Sequence, residues 1–207
     1  MFINPKVAIE QGWVTGVTDA AAQVQPNAID FDLAKLYGYA VDTPSFFLDG
    51  DQKQHQKTIE QDMLEMSGPS GSKMYYALKP HTAYDFASSV YVTLPAGVCA
   101  MLIVRSTLNR NGMFLTSGLY DSGFKGPVAG ILHNRSDRTA YITPGSRIGQ
   151  VMFLKSEDSG VLYAGGYNTE KGKHWTEPTT NTIEQLQKAT TIGADHSGPV
   201  AGRQNFL

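Results

Sequence analysis

Cysteine is nearly missing from this sequence of 207 residues: the single one, Cys99, lies inside the apolar run 98–104. One cysteine cannot close an internal disulfide. A thiol among apolar neighbours serves as a small hydrophobe, which fits a reducing compartment. No apolar run approaches the roughly 18 residues of a membrane span, so no membrane partner is expected. The opening stretch MFINPKVAIEQG lacks the charged start and long apolar core of a signal peptide, and the expected location is the cytoplasm. Charge is balanced as well, with 17 Lys and Arg against 19 Asp and Glu and no basic block. Phosphate-backbone binding needs clustered Lys and Arg, so no nucleic-acid partner is expected. Chemical signatures are missing too. The histidines are scattered with no zincin spacing, and there is no Walker loop, no dinucleotide glycine fingerprint and no nucleophile elbow around a serine.

What is present is strand chemistry. Val, Ile, Thr, Tyr and Phe recur in short runs broken by Gly and Pro, the pattern of an all-β sandwich or barrel. The length suits one domain with a full core. Val7 to Gly12 reads as a short helix, with Pro5 near its first turn and Gly12 as its stop. Val14 to Val24 is ambiguous, a strand with a turn. In Asn27–Leu33 the apolar Ile29, Phe31 and Leu33 alternate with Asp30 and Asp32, placing both acids on one face of a strand. That face is either solvated or part of a site. Residues 46–72 read as an insertion, either helical, since Ile59, Met63 and Met66 have loosely helical spacing, or a long surface loop. From Met74 onward strands are expected at Tyr75–Leu78, Ala83–Phe86 leading into Val90–Leu94, Val98–Val104, Ala140–Thr143 and Arg147–Leu154. Cys99, Met101 and Met152 are expected in the core.

The stretch from Arg105 to Asn134 organises the chain. A polar cluster follows the apolar run 98–104, then Met113–Leu115, a glycine-flanked turn from Gly118 to Gly126, and an apolar run to Leu132. Strand, turn and strand with an acid between them read as a hairpin presenting one carboxylate, Asp121.

These segments carry a family resemblance. Leu94-Pro-Ala-Gly97 with Val104-Arg-Ser-Thr-Leu108, then Gly118-Leu-Tyr-Asp-Ser-Gly-Phe-Lys-Gly126, then Pro144-Gly-Ser-Arg-Ile-Gly-Gln150 resemble successive motifs of the dUTPase and dCTP deaminase superfamily. Asn27-Ala-Ile-Asp-Phe-Asp-Leu33 resembles its first motif. The resemblance implies a distorted, jelly-roll-like β-barrel over residues 1–165, a C-terminal extension over 166–207, and a homotrimer with nucleotide sites between subunits. It implies that Ser106 and nearby amides hold phosphate oxygens, and that Arg105 and Arg147 offset phosphate charge or serve as structural ion-pair partners. Gln150 is either a triphosphate contact or an interface hydrogen bond. Mg²⁺ would bridge the phosphates, with Asp30 holding it through water. Asp121 would deprotonate the attacking water. The backbone at Gly118 and Leu119 would pair with the base edge, and Phe124 would pack on the deoxyribose.

The N-terminal layout and Arg105-Ser-Thr-Leu-Asn-Arg110, including its second arginine Arg110, resemble the deaminase branch. That branch carries a catalytic Glu five positions after the turn's last Gly, and here the position is Ile131. Isoleucine cannot move protons between water and an amine. The resemblance therefore implies hydrolysis of a deoxynucleoside triphosphate, dUTP first, to monophosphate and pyrophosphate. The alternatives are a dCTP deaminase, a dual dCTP/dUTP enzyme, and a non-catalytic nucleotide-binding regulator. The tail from Ser197, with Arg203 and Phe206, is either a cover for the site or a flexible terminus.

Overall fold

The alternating apolar runs fold into antiparallel sheets around one shared core in the computed structural model, which describes residues 1–40, 48, 49, 52, 53 and 57–167. The order is β1 (Phe2–Ile3), α1 (Pro5–Glu10), β2 (Val14–Thr15), α2 (Ala20–Gln23), β3 (Ile29–Asp32), β4 (Lys35–Tyr39), β5 (Leu48–Asp49), β6 (Gln52–Lys53) and β7 (Thr58–Glu60). There follow β8 (Leu64–Gly68), β9 (Gly71–Leu78), β10 (Thr82–Thr93), β11 (Val98–Val104), α3 (Ser106–Arg110), β12 (Met113–Thr116), β13 (Lys125–Asn134), β14 (Ala140–Ile142) and β15 (Arg147–Lys155). The expected all-β class with few short helices is what the structure has.

One sheet runs β1-β15-β11, with β3 added to β15; a larger one runs β12-β13-β10-β4-β7, with β2 added to β10. A third joins β14, β9 and β8. Inward residues of the first two meet in the core, where the Phe31 and Phe86 rings lie parallel with centroids 5.7 Å apart. Burying such side chains supplies most of the fold's stability. The expected N-terminal helix is α1: Asn4 caps it by accepting from the Lys6 amide, and Ala8 enters the core. At Gly149 the chain passes so close to Phe31 that an added Cβ would lie 2.2 Å from the ring, which explains a glycine inside β15.

Several expectations need correction. Among the described residues, 57–72 form neither helix nor long loop. Ile59 sits in β7, which covers the edge of β4 in register Gly38↔Ile59, and Met66 sits in the β8–β9 hairpin. The helical spacing there is accidental, because these edge strands expose both faces and need no strict alternation. The rest of the expected insertion, apart from the short β5–β6 pair, lies outside the described residues. Val14–Val24 is a two-residue strand and a short helix. The segments from Ala83 to Leu94 are one strand, β10, with a register shift between Ala87 and Tyr91. Met101 is not core. Val98 and Ala100 point inward, so period-two alternation turns Cys99, Met101 and Ile103 outward. Cys99 and Met152 are likewise only partly buried.

Candidate functional site

The two acids of β3 do not face open water. Ile29, Phe31 and Leu33 enter the core, which turns Asp30 to the other side of the strand. There α2 closes over it: the buried Gln23 side chain accepts from the Thr18 and Asp19 amides and donates to the Asp30 carbonyl. Asp30 ends up 1% exposed. Its Oδ2 takes Arg105 Nε at 3.2 Å and Arg147 Nη1 at 3.1 Å, while Oδ1 takes the Gln150 amide at 2.8 Å. Arg147 also donates to the Ala22 carbonyl. Sheet register makes this meeting possible, since Gln150 pairs with both Asp30 and Ile103, and Arg105 leaves the end of β11. Two guanidinium groups against one carboxylate leave one positive charge uncancelled, suited to an anion. Asp32 instead ties down the irregularity in β10, accepting from Ser88 Oγ at 2.6 Å and Ser89 Oγ at 2.7 Å.

This arrangement bears on the expected magnesium site. Both Asp30 oxygens are occupied by protein donors, and its residue is enclosed. No group of three His, Cys, Asp or Glu among the described residues is placed to hold a metal. Asp30 as arranged is an ion-pair hub and does not fit the role of a metal ligand.

Ser106 opens α3 directly beyond Arg105 and is exposed, as is Arg110 at the helix end. Thus Arg105, Ser106, Arg147 and Gln150 gather around Asp30 at one end of β11. The Asp121 turn sits at the other end. β12 and β13 form the expected hairpin, in register Met113↔Asn134 to Thr116↔Ile131. Its loop does not project freely, however. Tyr120 bridges to Ala100, Ser122 Oγ donates to the Val98 carbonyl at 3.0 Å, and the Gly123 amide donates to the Leu94 carbonyl. From Ala100 to Arg105 is five strand positions, roughly 17 Å at about 3.3 Å each. One chain therefore holds two half-sites at opposite ends of one strand.

Tyr120 was not singled out in the sequence, yet it locks the turn. Its hydroxyl donates to the Ala129 carbonyl at 2.6 Å and accepts from the Ala129 amide at 2.9 Å. Burial pushes its phenol up. Phe124 is 9% exposed, edge-on to Tyr120 at 4.7 Å and near Tyr163 at 5.8 Å. Asp121, Gly118 and Leu119 are exposed at the surface of this braced loop. Arg203 and Phe206 lie outside the described residues.

A second buried carboxylate, Asp85, also escaped the sequence reading. It pairs across β13 with Ile131 and across β4 with Tyr37, and accepts from the Tyr39 hydroxyl at 3.2 Å. Burial pushes its carboxyl up to about 6, and the Tyr39 hydrogen bond holds it slightly back. Tyr39 in turn is raised, by burial first and then by the Asp85 charge.

The model of dCTP deaminase-like proteins matches residues 6–156. A probable deoxyuridine 5'-triphosphate nucleotidohydrolase from Methanopyrus kandleri is 28% identical over 145 residues, 70% of this chain and 87% of that protein. A dUMP-forming dCTP deaminase from Persephonella marina is 26% identical over 157 residues, 73% of this chain and 81% of that protein. The crystal structure of 2'-deoxycytidine 5'-triphosphate deaminase from Agrobacterium tumefaciens shares the fold, with a TM-score of 0.56 at 16% identity over 75% of this chain. The chain spans about half of that deaminase's length, 48%. With a match running through both half-sites, this chain belongs to the dCTP deaminase-like family.

Proposed function

We propose that this protein is a deoxynucleoside triphosphate diphosphatase that hydrolyses dUTP to dUMP and pyrophosphate. The observation that carries this reading is Asp121, an exposed carboxylate on a turn braced by Tyr120, Ser122 and Phe124. A fixed carboxylate at a surface can orient a water and accept its proton as the water attacks phosphorus. The leaving group is pyrophosphate, and the Arg105–Arg147 cluster with Ser106 offers the complementary charge and donors. Mg²⁺, where the reaction uses it, would enter with the triphosphate and offset its charge, since Asp30 is already engaged by Arg105, Arg147 and Gln150 and would not hold it.

On one chain the two halves lie at opposite ends of β11, roughly 17 Å apart along the strand. Assembly of copies would bring the Asp121 end of one to the Arg105 end of another, and a homotrimer does so with three equivalent sites. The outer face of the β1-β15-β11 sheet supports this. Phe2, Met101 and Ile103 are 59%, 46% and 43% exposed there, an apolar surface that a second copy would cover.

Ile131 supports hydrolysis over deamination, since it supplies no proton carrier beside the hairpin. The resemblance to both a hydrolase and a deaminase makes the substrate panel decisive. Pyrophosphate and ammonia are measured with dUTP, dCTP, dTTP and UTP plus Mg²⁺, on wild type and Asp121→Asn. Pyrophosphate from dUTP, lowered about 10²–10⁴-fold in the variant, is the expected result. Pyrophosphate from dCTP as well would widen the substrate and keep the mechanism. Ammonia would overturn the argument from Ile131, and tight binding without turnover would make the protein a nucleotide-binding regulator.

A further inference from the structure

Asp85 is a buried carboxylate that the chemistry at Asp121 does not use. Its neighbours in β10, Tyr84 and Phe86, enter the core, so Asp85 points to the outer face of the larger sheet, where it is only 8% exposed. One carboxylate oxygen accepts from the Tyr39 hydroxyl at 3.2 Å. The other receives no hydrogen bond from any described residue. Burial pushes the carboxyl up to about 6, so at pH 8 it is ionised and can only accept. A buried acceptor without a donor costs stability, and native proteins rarely keep one without a use.

Strand register places Asp85 in a row with Ile131 of β13 and Thr116 of β12, and Tyr37 of β4 flanks it on the other side. Directly paired residues share a face, with Cβ atoms about 5 Å apart. Exposure is graded along this row: Thr116 is exposed, Ile131 half-buried and Asp85 buried. Thr116 and His133 already answer each other, Oγ1 to Nε2 at 3.2 Å. The row is therefore an apolar floor at Ile131 with a carboxylate at its inner edge. Two strand spacings separate Thr116 from Asp85, roughly 10 Å, which is room for one flat ring. Beyond Thr116 the chain continues to Gly118 and Leu119, exposed in the Asp121 loop. A base held at that loop would lie over Ile131 with one edge toward Asp85.

We propose that Asp85 reads the base, its free oxygen accepting a hydrogen bond from the ring N3–H of a bound uracil. Cytosine carries a lone pair at that nitrogen, which the carboxylate repels, so Asp85 selects dUTP against dCTP. Ile131 packs on the ring face of either base and does not discriminate. Asp85 transfers no proton in this role; it binds, and Asp121 activates the water. The choice of uracil as the occupant rests on the hydrolase reading.

The test is calorimetric binding of the α,β-imido analogues of dUTP and dCTP, with Mg²⁺ at pH 8, to the full-length protein. These analogues resist cleavage between the α and β phosphates, so binding is read whether or not nucleotide is turned over. Wild type should bind the dUTP analogue more tightly. Asp85→Leu should weaken that binding about ten- to a hundredfold, the range for a hydrogen bond to a charged group, and leave the dCTP analogue unchanged or tighter. Asp85→Asn keeps an acceptor oxygen and gains a donor for the cytosine ring nitrogen. It should narrow the preference with little loss for the dUTP analogue. An affinity ratio that is the same in all three proteins overturns the inference, as does a wild type that prefers the dCTP analogue. Ammonia released from dCTP by wild type and not by Asp85→Asn would make Asp85 a proton carrier, and overturns it too. Selective binding without pyrophosphate release would sink the hydrolase reading and leave this one standing.

Discussion

Asp30 and Asp85 are both enclosed carboxylates on β-strands, yet their surroundings are opposite. Asp30 receives two guanidinium groups and an amide, whereas Asp85 receives one phenol. The difference shows what each position is for. A carboxylate ringed by cations holds other groups in place, and its neighbours depend on its charge. A carboxylate with a neutral partner is held near the point where it gains or loses its proton. The first is an ion-pair hub; the second is a group whose carboxyl burial raises to about 6.

Removing the hub should have the largest effect. Asp30→Ala leaves Arg105 and Arg147 partly buried without their counter-ion, and about 3 kcal/mol of stability should be lost in urea unfolding at pH 7, the lower end for a broken buried pair because both arginines reach solvent. A loss below about 1 kcal/mol would show the arginines rehydrating freely and would erase the contrast.

Asp85→Asn should go the other way. The folded state raises the Asp85 carboxyl, so its favourable contribution is complete below 3.8 and gone once pH passes about 6. The variant should therefore melt above wild type at pH 8, by about 1 kcal/mol after allowing for partial solvent access. At pH 3.5 the two should coincide. Higher melting of wild type at pH 8 would mean that the charged form is stabilised, as at Asp30.

Tyr39→Phe sharpens the comparison from the donor side. The Tyr39 bond lowers the Asp85 carboxyl, so losing it should move the NMR midpoint above about 6. Stability should fall by roughly 0.5–1.5 kcal/mol, the worth of one hydrogen bond. Lys35→Ala should matter least. Lys35 meets Glu60 at 3.1 Å, but both side chains are about half exposed, and thermal unfolding should register less than about 0.5 kcal/mol.

Much of the fold was legible because glycine and proline punctuate it. Val98–Val104 is the strand expected, and Arg147–Leu154 lies within β15. The 59–66 region was not, since edge strands half open to solvent carry no clean period. The candidate site was legible as residue types and illegible as contacts. Asp30 finds Arg147 and Gln150 at separations of 117 and 120 residues, and Asp85 finds Tyr39 at 46. Nothing local in the chain marks such meetings; only strand register produces them. The alternation Asp30–Asp32 correctly placed both acids away from the core, but the solvated-face alternative missed the cover supplied by α2 and by the bulge at Ser88 and Ser89. Tyr120, a residue of the Gly118–Gly126 motif that the sequence did not single out, is the brace of the turn.

The placement of Asp121 and Ser106 at opposite ends of β11 has a genetic consequence. If each pocket draws its base from one chain and its phosphate cradle from another, two inactive alleles need not stay inactive together. Chains carrying Asp121→Asn retain an intact cradle, and chains carrying Ser106→Ala retain an intact turn. Where they mix, some junctions pair the good half of each and others pair the two damaged halves. Two dead proteins, unfolded and refolded together, would regain part of the activity that neither has alone.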